Sequence, residues 1–138
     1  MSSSRLLINI NNLKDNYNYL HNLSSPKVLT GAVVKSDAYG LGSQEIVTVL
    51  NKLGCQYFFC ARLEEGMQIR RILKNALVIV FEGPQQNNFS EYKHFKIIPV
   101  INSIEQLNVL VENLKNCHIK IPIVLNFDTG MNRLGFGN

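Results

Sequence analysis

Two short polar segments of this 138-residue sequence hold residue types that could do chemistry. The first begins at Lys35, directly after an apolar run. A lysine at the end of a buried strand suits Schiff-base chemistry, because partial loss of water favours the neutral, nucleophilic amine. Tyr39 follows four residues later, and Gly40 and Gly42 lead into a predicted helix, where a phenol and free backbone N–H groups suit a phosphate. The alternative is that Lys35 only extends from a strand end and that Tyr39 only packs.

The second segment runs from Asp128 to Phe136, after the last apolar run of the sequence. An arginine held in such a loop, here Arg133, can form a bidentate pair with a carboxylate. Asp128 could orient the loop by accepting backbone N–H bonds. The alternative is a capped surface turn that carries a solvated arginine.

Apolar runs and helical periodicities alternate along the chain, and they predict the elements that must position both segments. Residues 5–10 suit a short strand, and residues 36–42 are predicted to be a loop. Further strands are predicted over 28–34, 56–60, 76–81, 96–101 and 119–127, with helices over 12–23, 43–53, 63–74, 86–94 and 103–115. Five apolar strands separated by helices, counted from 28–34, indicate a parallel α/β fold. A doubly wound sheet and a TIM barrel both fit this alternation, and in either one chemistry gathers at the carboxyl ends of the strands.

Helix ends have their own signals in the sequence. Ser43 is a predicted N-cap and Gly54 a predicted C-cap of the same helix. Ser103 is a predicted N-cap, with Gln106 three residues on in the capping-box position.

The amino-acid composition limits which classes of protein the chain can belong to. The chain is 46% hydrophobic and 17% charged with a formal net charge of +4, which indicates a folded domain or part of one rather than a disordered segment. No apolar run is long enough to span a membrane, and the N-terminus lacks the pattern of a signal peptide. Only Arg70 and Arg71 form an adjacent basic pair, which predicts no nucleic-acid binding. Cys55, Cys60 and Cys117 suit reduced core thiols of a cytoplasmic protein, and no metal site is expected.

Both polar segments resemble signatures of the alanine racemase family, which belongs to the fold-type III pyridoxal 5'-phosphate (PLP) enzymes. VVKSDAYGLG is similar to the family's PLP attachment segment, and NFDTGMNRLGF to its second signature loop at a matching spacing. INNLKDNYNYL, CARLEEGMQIR and PVINSIEQL also resemble family segments, so the resemblance covers nearly the whole chain. It implies the N-terminal part of a PLP-binding (β/α)8 TIM barrel, which a mostly β domain follows in complete members.

The resemblance also implies roles for individual residues. Lys35 would carry PLP as an internal aldimine and act as one of two proton-transfer bases. Tyr39 would hydrogen-bond the phosphate, and Arg133 would bind the carboxylate of the substrate, alanine. The second base, a tyrosine, comes from the partner subunit of a homo-oligomer in complete members and lies beyond residue 138. Asn126 stands where many members carry a carbamylated lysine that supports the arginine, so that support is in question here.

Three functional hypotheses follow. The chain, residues 1–138, is expected to be an alanine racemase N-terminal portion that is truncated after the fifth barrel strand, without the β domain. It would then serve to supply D-alanine for peptidoglycan. The alternatives are a non-catalytic PLP-binding or interaction fragment of the same barrel family, and a decayed gene product. An incomplete barrel is expected to associate through its open sheet edges.

Overall fold

A computed structural model describes residues 5–24, 26–115 and 120–137 of the chain. Helices and strands alternate from the first element to the last. The helices are α1 (Ile10–Leu23), α2 (Lys35–Gly40), α3 (Ser43–Lys52), α4 (Leu63–Ile72), α5 (Phe89–His94) and α6 (Ile104–Leu114), and the strands are β1 (Ala32–Val33), β2 (Tyr57–Cys60), β3 (Leu77–Val80), β4 (Ile98–Ile101) and β5 (Val124–Leu125).

The described strands form one parallel sheet in the order β1-β2-β3-β4-β5. Each strand therefore pairs with the next one along the chain, and the order never reverses. A doubly wound sheet reverses its strand order at a switch point, whereas a barrel winds in one direction. This order decides between the two predicted architectures, and the fold is that of the N-terminal part of a (β/α)8 barrel.

The apolar core lies between the sheet and the helices that connect its strands. Phe58 and Val78 are fully buried neighbours in the β2–β3 register. Gly66 lets α4 approach the sheet closely, because a Cβ atom there would lie only 2.9 Å from the Cγ2 atom of Val80. The glycine that weakens the helical pattern of 63–74 is thus a packing residue.

The predicted strand over residues 5–10 is wrong. Residues 5–9 form no regular element, and α1 begins at Ile10. The Asn9 side chain caps this helix by accepting hydrogen bonds from the backbone N–H groups of Asn11 and Asn12. Leu6 and Leu7 are 69% and 81% exposed. No described strand pairs with this apolar run.

The two edge strands are shorter than their apolar runs. Only Ala32–Val33 of 28–34 and only Val124–Leu125 of 119–127 are paired as strands. Val28 and Leu29 are 49% and 66% exposed, so the predicted strand over 28–34 is wrong for its first residues. Residue 119 lies outside the described residues. The three central strands lie within their predicted ranges.

The helix ends partly follow their sequence signals. Ser103 is the N-cap of α6 and accepts a bond from the N–H group of Gln106. The Gln106 side chain accepts from Asn102 rather than Ser103, so the reciprocal capping box does not form. The N-cap of α3 is Gly42 and not Ser43.

Cys55 and Cys60 are buried free thiols, as predicted, and Cys117 lies outside the described residues. Burial is the main reason that the pKa of Cys60 rises to about 12. None of the helices in the described part of the chain is both long and apolar enough to cross a membrane.

Candidate functional site

A cavity of about 650 Å³ opens at the carboxyl ends of the strands. This volume lies within the range of about 300–1,000 Å³ that small-molecule sites occupy. Residues that end or follow all five strands line it. They include Lys35 after β1, Phe59 in β2 and Ala61 after it, Phe81 and Glu82 after β3, Val100 in β4 and Asn102 after it, and Asn126, Asp128 and Arg133 after β5.

Lys35 opens a left-handed helical turn. Ser36, Asp37, Ala38 and Tyr39 all have φ between 52° and 57°, so the loop predicted over 36–42 begins instead with a helical element. For residues other than glycine this conformation costs roughly 1–2 kcal/mol each, so the surrounding structure must hold it. Buried Ala38 anchors the turn, and its N–H group donates to the carbonyl oxygen of Val34 at 3.0 Å.

The far end of the turn is fastened by Asp37. Its Oδ1 atom accepts a 2.6 Å hydrogen bond from the N–H group of Ser43, and its carbonyl oxygen accepts from Gly42. The bond from Ser43 lowers the pKa of the Asp37 carboxyl below its usual value. The far end of the turn that follows Lys35 is therefore tied to the N-terminus of α3.

Lys35 and Tyr39 are neighbours across this turn. The Nζ atom of Lys35 lies 5.7 Å from the centroid of the Tyr39 ring. Lys35 forms no ion pair with the described residues. Tyr39 is 62% exposed and is absent from the described lining of the cavity, so it lies beside the lysine rather than within the cavity.

Asp128 organises the loop that carries Arg133. Its Oδ1 atom accepts hydrogen bonds from the N–H groups of Gly130, Met131 and Asn132 at 2.9, 2.8 and 3.1 Å. These backbone donors, Gly130 first, lower the pKa of Asp128. The prediction that Asp128 orients the loop through backbone N–H bonds is confirmed, and Arg133 lines the cavity.

Asn126 belongs to a chain of side-chain amides at the ends of β3, β4 and β5. Its Nδ2 atom donates to the Oδ1 atom of Asn102 at 2.9 Å. Asn102 in turn donates to the carbonyl oxygen of Phe81 at 2.8 Å. No hydrogen bond between Asn126 and Arg133 is present within the described ranges, so the amide supports the sheet edge rather than the arginine.

An aromatic pair forms part of the cavity wall. The rings of Phe59 and Phe81 stack with their centroids 5.7 Å apart and their planes 17° from parallel. They give the cavity a flat apolar surface beside its cationic groups. No group of three or more His, Cys, Asp or Glu residues that could hold a metal ion occurs in the part of the chain that is described.

The alanine racemase N-terminal domain model matches residues 8–138. The chain belongs to this family. It is 37% identical over 140 residues to the alanine racemase of Rickettsia prowazekii, covering 100% of this chain and 34% of the relative. It is 40% identical over 135 residues to the catabolic alanine racemase of Rhizobium johnstonii, covering 95% of this chain and 35% of the relative.

A solved alanine racemase also has the same fold. The crystal structure of the Bartonella henselae enzyme, with covalently bound PLP, superposes with a TM-score of 0.88 at 30% identity. The match covers 95% of this chain and 36% of the other. The chain thus spans about a third of the length of the alanine racemases it matches. The predicted family and barrel fold are confirmed, and the individual roles of Lys35, Tyr39 and Arg133 stay predictions.

Sequence reasoning missed two residues near the site. The first is Asn102, whose side-chain amide pairs with that of Asn126, 24 residues away in the sequence. The second is Glu65, whose carboxylate bonds to the turn that follows Lys35. Glu65 lies in a predicted helix start, where an acid is ordinary, so only its position near the end of β2 hinted at a site role.

Proposed function

We propose that this chain is the cofactor-binding part of a PLP-dependent alanine racemase, an isomerase that interconverts L- and D-alanine. The observation that carries the proposal is that Lys35 and Arg133, about a hundred residues apart in sequence, line one cavity. The relatives named alanine racemase and the PLP-bearing Bartonella henselae structure support the same conclusion.

The residues present fit PLP. The cavity offers an amine without an ion pair among the described residues, a stacked Phe59–Phe81 wall for a planar ring, and the guanidinium of Arg133 for an anion. When bound, PLP supplies an aldehyde that condenses with amines and a ring that takes up the electrons of a broken C–H bond. Lys35 would hold the cofactor, and Tyr39 would hydrogen-bond its phosphate.

Racemisation needs a proton-transfer base on each face of the substrate α-carbon. Lys35 would remove or return the α-proton on one face, while Arg133 would orient the alanine carboxylate by bidentate pairing. The two carboxylates of the cavity are already engaged as acceptors. Glu82 accepts from the N–H group of Leu63, and Asp128 accepts from its own loop. The family resemblance assigns the second face to a tyrosine from the partner subunit of a homo-oligomer.

The same proposal sets the biological context. D-Alanine made by this site would supply peptidoglycan synthesis. The buried free thiols of Cys55 and Cys60 support a reducing compartment, so we place the protein in the cytoplasm.

The first experiment traps the cofactor. The purified protein is incubated with PLP and reduced with sodium borohydride, and its peptides are examined by mass spectrometry. We expect a pyridoxyl group on Lys35 and its loss in Lys35→Ala, with Lys52→Ala as the control for a surface lysine. Arg133→Ala should keep the label but weaken alanine binding. Equal labelling of Lys35→Ala and of the unmodified protein would refute the assignment.

The second experiment separates a racemase from a non-catalytic PLP-binding fragment. In deuterated water with PLP, loss of the α-hydrogen of L- or D-alanine is followed by proton NMR. We expect exchange that depends on Lys35. Labelling of Lys35 without exchange of either enantiomer would favour the non-catalytic alternative.

A further inference from the structure

We propose that Glu65 is a positioning residue that fastens the left-handed turn of Lys35 and thereby sets how readily Lys35 takes up PLP. This inference rests on the proposed function, because it concerns the same lysine. The Glu65 side chain lies on α4 and acts through the backbone of Ser36.

Glu65 divides its two oxygen atoms between two segments. The Oε1 atom accepts a 2.7 Å hydrogen bond from the N–H group of Ser36, the residue after Lys35. The Oε2 atom accepts from the N–H groups of Ala61 and Arg62 at 2.8 and 3.1 Å. One carboxylate therefore caps its own helix and holds the lysine segment at the same time.

The turn needs such a partner because its backbone is strained from its first residue. Ser36 has φ of 52°, and three more non-glycine residues follow in the same left-handed region. Hydrogen bonds to charged groups are stronger than those between neutral groups. Asp37 fastens the far end of the turn to Ser43, and Glu65 is the described side chain that fastens its near end.

Glutamine at position 65 separates the two tasks of the carboxylate. A glutamine has a single acceptor oxygen, and its NH2 group cannot accept a hydrogen bond. The oxygen is better placed on the side with two donors, Ala61 and Arg62. The NH2 group then faces the N–H group of Ser36, so Glu65→Gln keeps the helix cap and loses the bond to the lysine turn.

The test measures the PLP concentration that gives half-maximal borohydride-trapped label on Lys35. We expect this concentration to rise about tenfold in Glu65→Gln, as for the loss of one hydrogen bond to a charged group. Glu64→Gln makes the same charge change in the same helical turn, and Glu64 forms no hydrogen bond among the described residues. It should stay within about twofold of the unmodified protein.

A stability control separates positioning from simple loss of fold. Asn9→Ala removes two backbone hydrogen bonds at the N-cap of α1, far from Lys35 in the sequence. Urea unfolding is measured on every variant. We expect Asn9→Ala to lower the free energy of unfolding while leaving the PLP concentration for half-labelling unchanged.

Each outcome bears on one claim. Half-labelling of Glu65→Gln at the same PLP concentration as the unmodified protein would overturn the role of Glu65. An unmodified protein that never labels Lys35 would overturn the proposed function instead. If Glu65→Gln does not fold, Glu65→Asp replaces it. The shorter acid can still cap α4 but falls short of Ser36, and normal labelling in that variant would equally overturn the inference.

Discussion

Loss of the Arg70 side chain should destabilise the fold. Its guanidinium donates to four backbone carbonyl groups. The bonds to Phe95 and Leu73 are partly buried, at 2.9 and 3.1 Å, and those to Lys74 and Lys96 are exposed, both at 2.9 Å. Arg70 therefore joins the end of α4 to the end of α5.

The cost of Arg70→Ala can be worked from these four bonds. Each partly buried bond to a charged donor contributes about 1.5 kcal/mol, and each exposed bond about 0.5 kcal/mol, since water replaces it. The sum predicts a loss of about 4 kcal/mol in the free energy of unfolding. Arg70→Lys keeps the charge but has no planar fork, so about half of this loss should remain.

The assay is urea unfolding followed by circular dichroism, with Arg71→Ala as the matched control. Arg71 is exposed, and its guanidinium carbon lies 5.8 Å from the centroid of the Phe95 ring. A cation–π contact of this kind is worth about 0.5–1 kcal/mol at an exposed site. The reasoning fails if Arg70→Ala loses less than about 1 kcal/mol, or if the two alanine variants are equally destabilised.

Three further predictions test single contacts. Backbone N–H bonds lower the pKa of Asp128, so its hold on the loop is complete above about pH 4 and is lost as the pH falls through the folded-state pKa. The NMR shift of the Gly130 amide should follow this titration, and Asp128→Asn should abolish it. Cys60, with its pKa raised to about 12, should react with iodoacetamide about a hundredfold faster in urea than in the native protein. Gly66→Ala should lower the free energy of unfolding by about 1 kcal/mol, since the clash with Val80 outweighs the gain in helix propensity, and a stabilised variant would contradict this.

The central part of the fold could be predicted from the sequence. The runs over 56–60, 76–81 and 96–101 became strands because each has a neighbouring strand to pair with on both edges. The predicted strand over 5–10 is wrong for the opposite reason. Its apolar residues carry no information about a pairing partner, whereas the Asn9 side chain supplies a specific cap for α1.

The site was predictable at the level of segments but not of contacts. Lys35 and Arg133 line one cavity because parallel strands bring their carboxyl ends to one edge of the sheet. The left-handed turn after Lys35 carries serine, aspartate, alanine and tyrosine, none of which signals a positive φ as glycine does. The hydrogen bond from Ser36 to Glu65 spans 29 residues and involves a backbone N–H group. No pattern of side chains in the sequence therefore predicts it.

The segments that carry Lys35 and Arg133 are stabilised in the same way, and the apolar core is not. Each is organised by a carboxylate that accepts backbone N–H groups: Asp37 from Ser43, and Asp128 from its own loop. In both cases these donors lower the pKa of the acid, so the charged form is the one that holds the segment. In the unfolded chain both acids protonate near pH 4, whereas in the folded protein they stay charged to a lower pH. Both segments therefore lose stability together as the pH falls below about 4. The apolar core between sheet and helices has no such dependence. Acid should therefore loosen the ends of the strands, where Lys35 and Arg133 lie, before it affects the strands themselves.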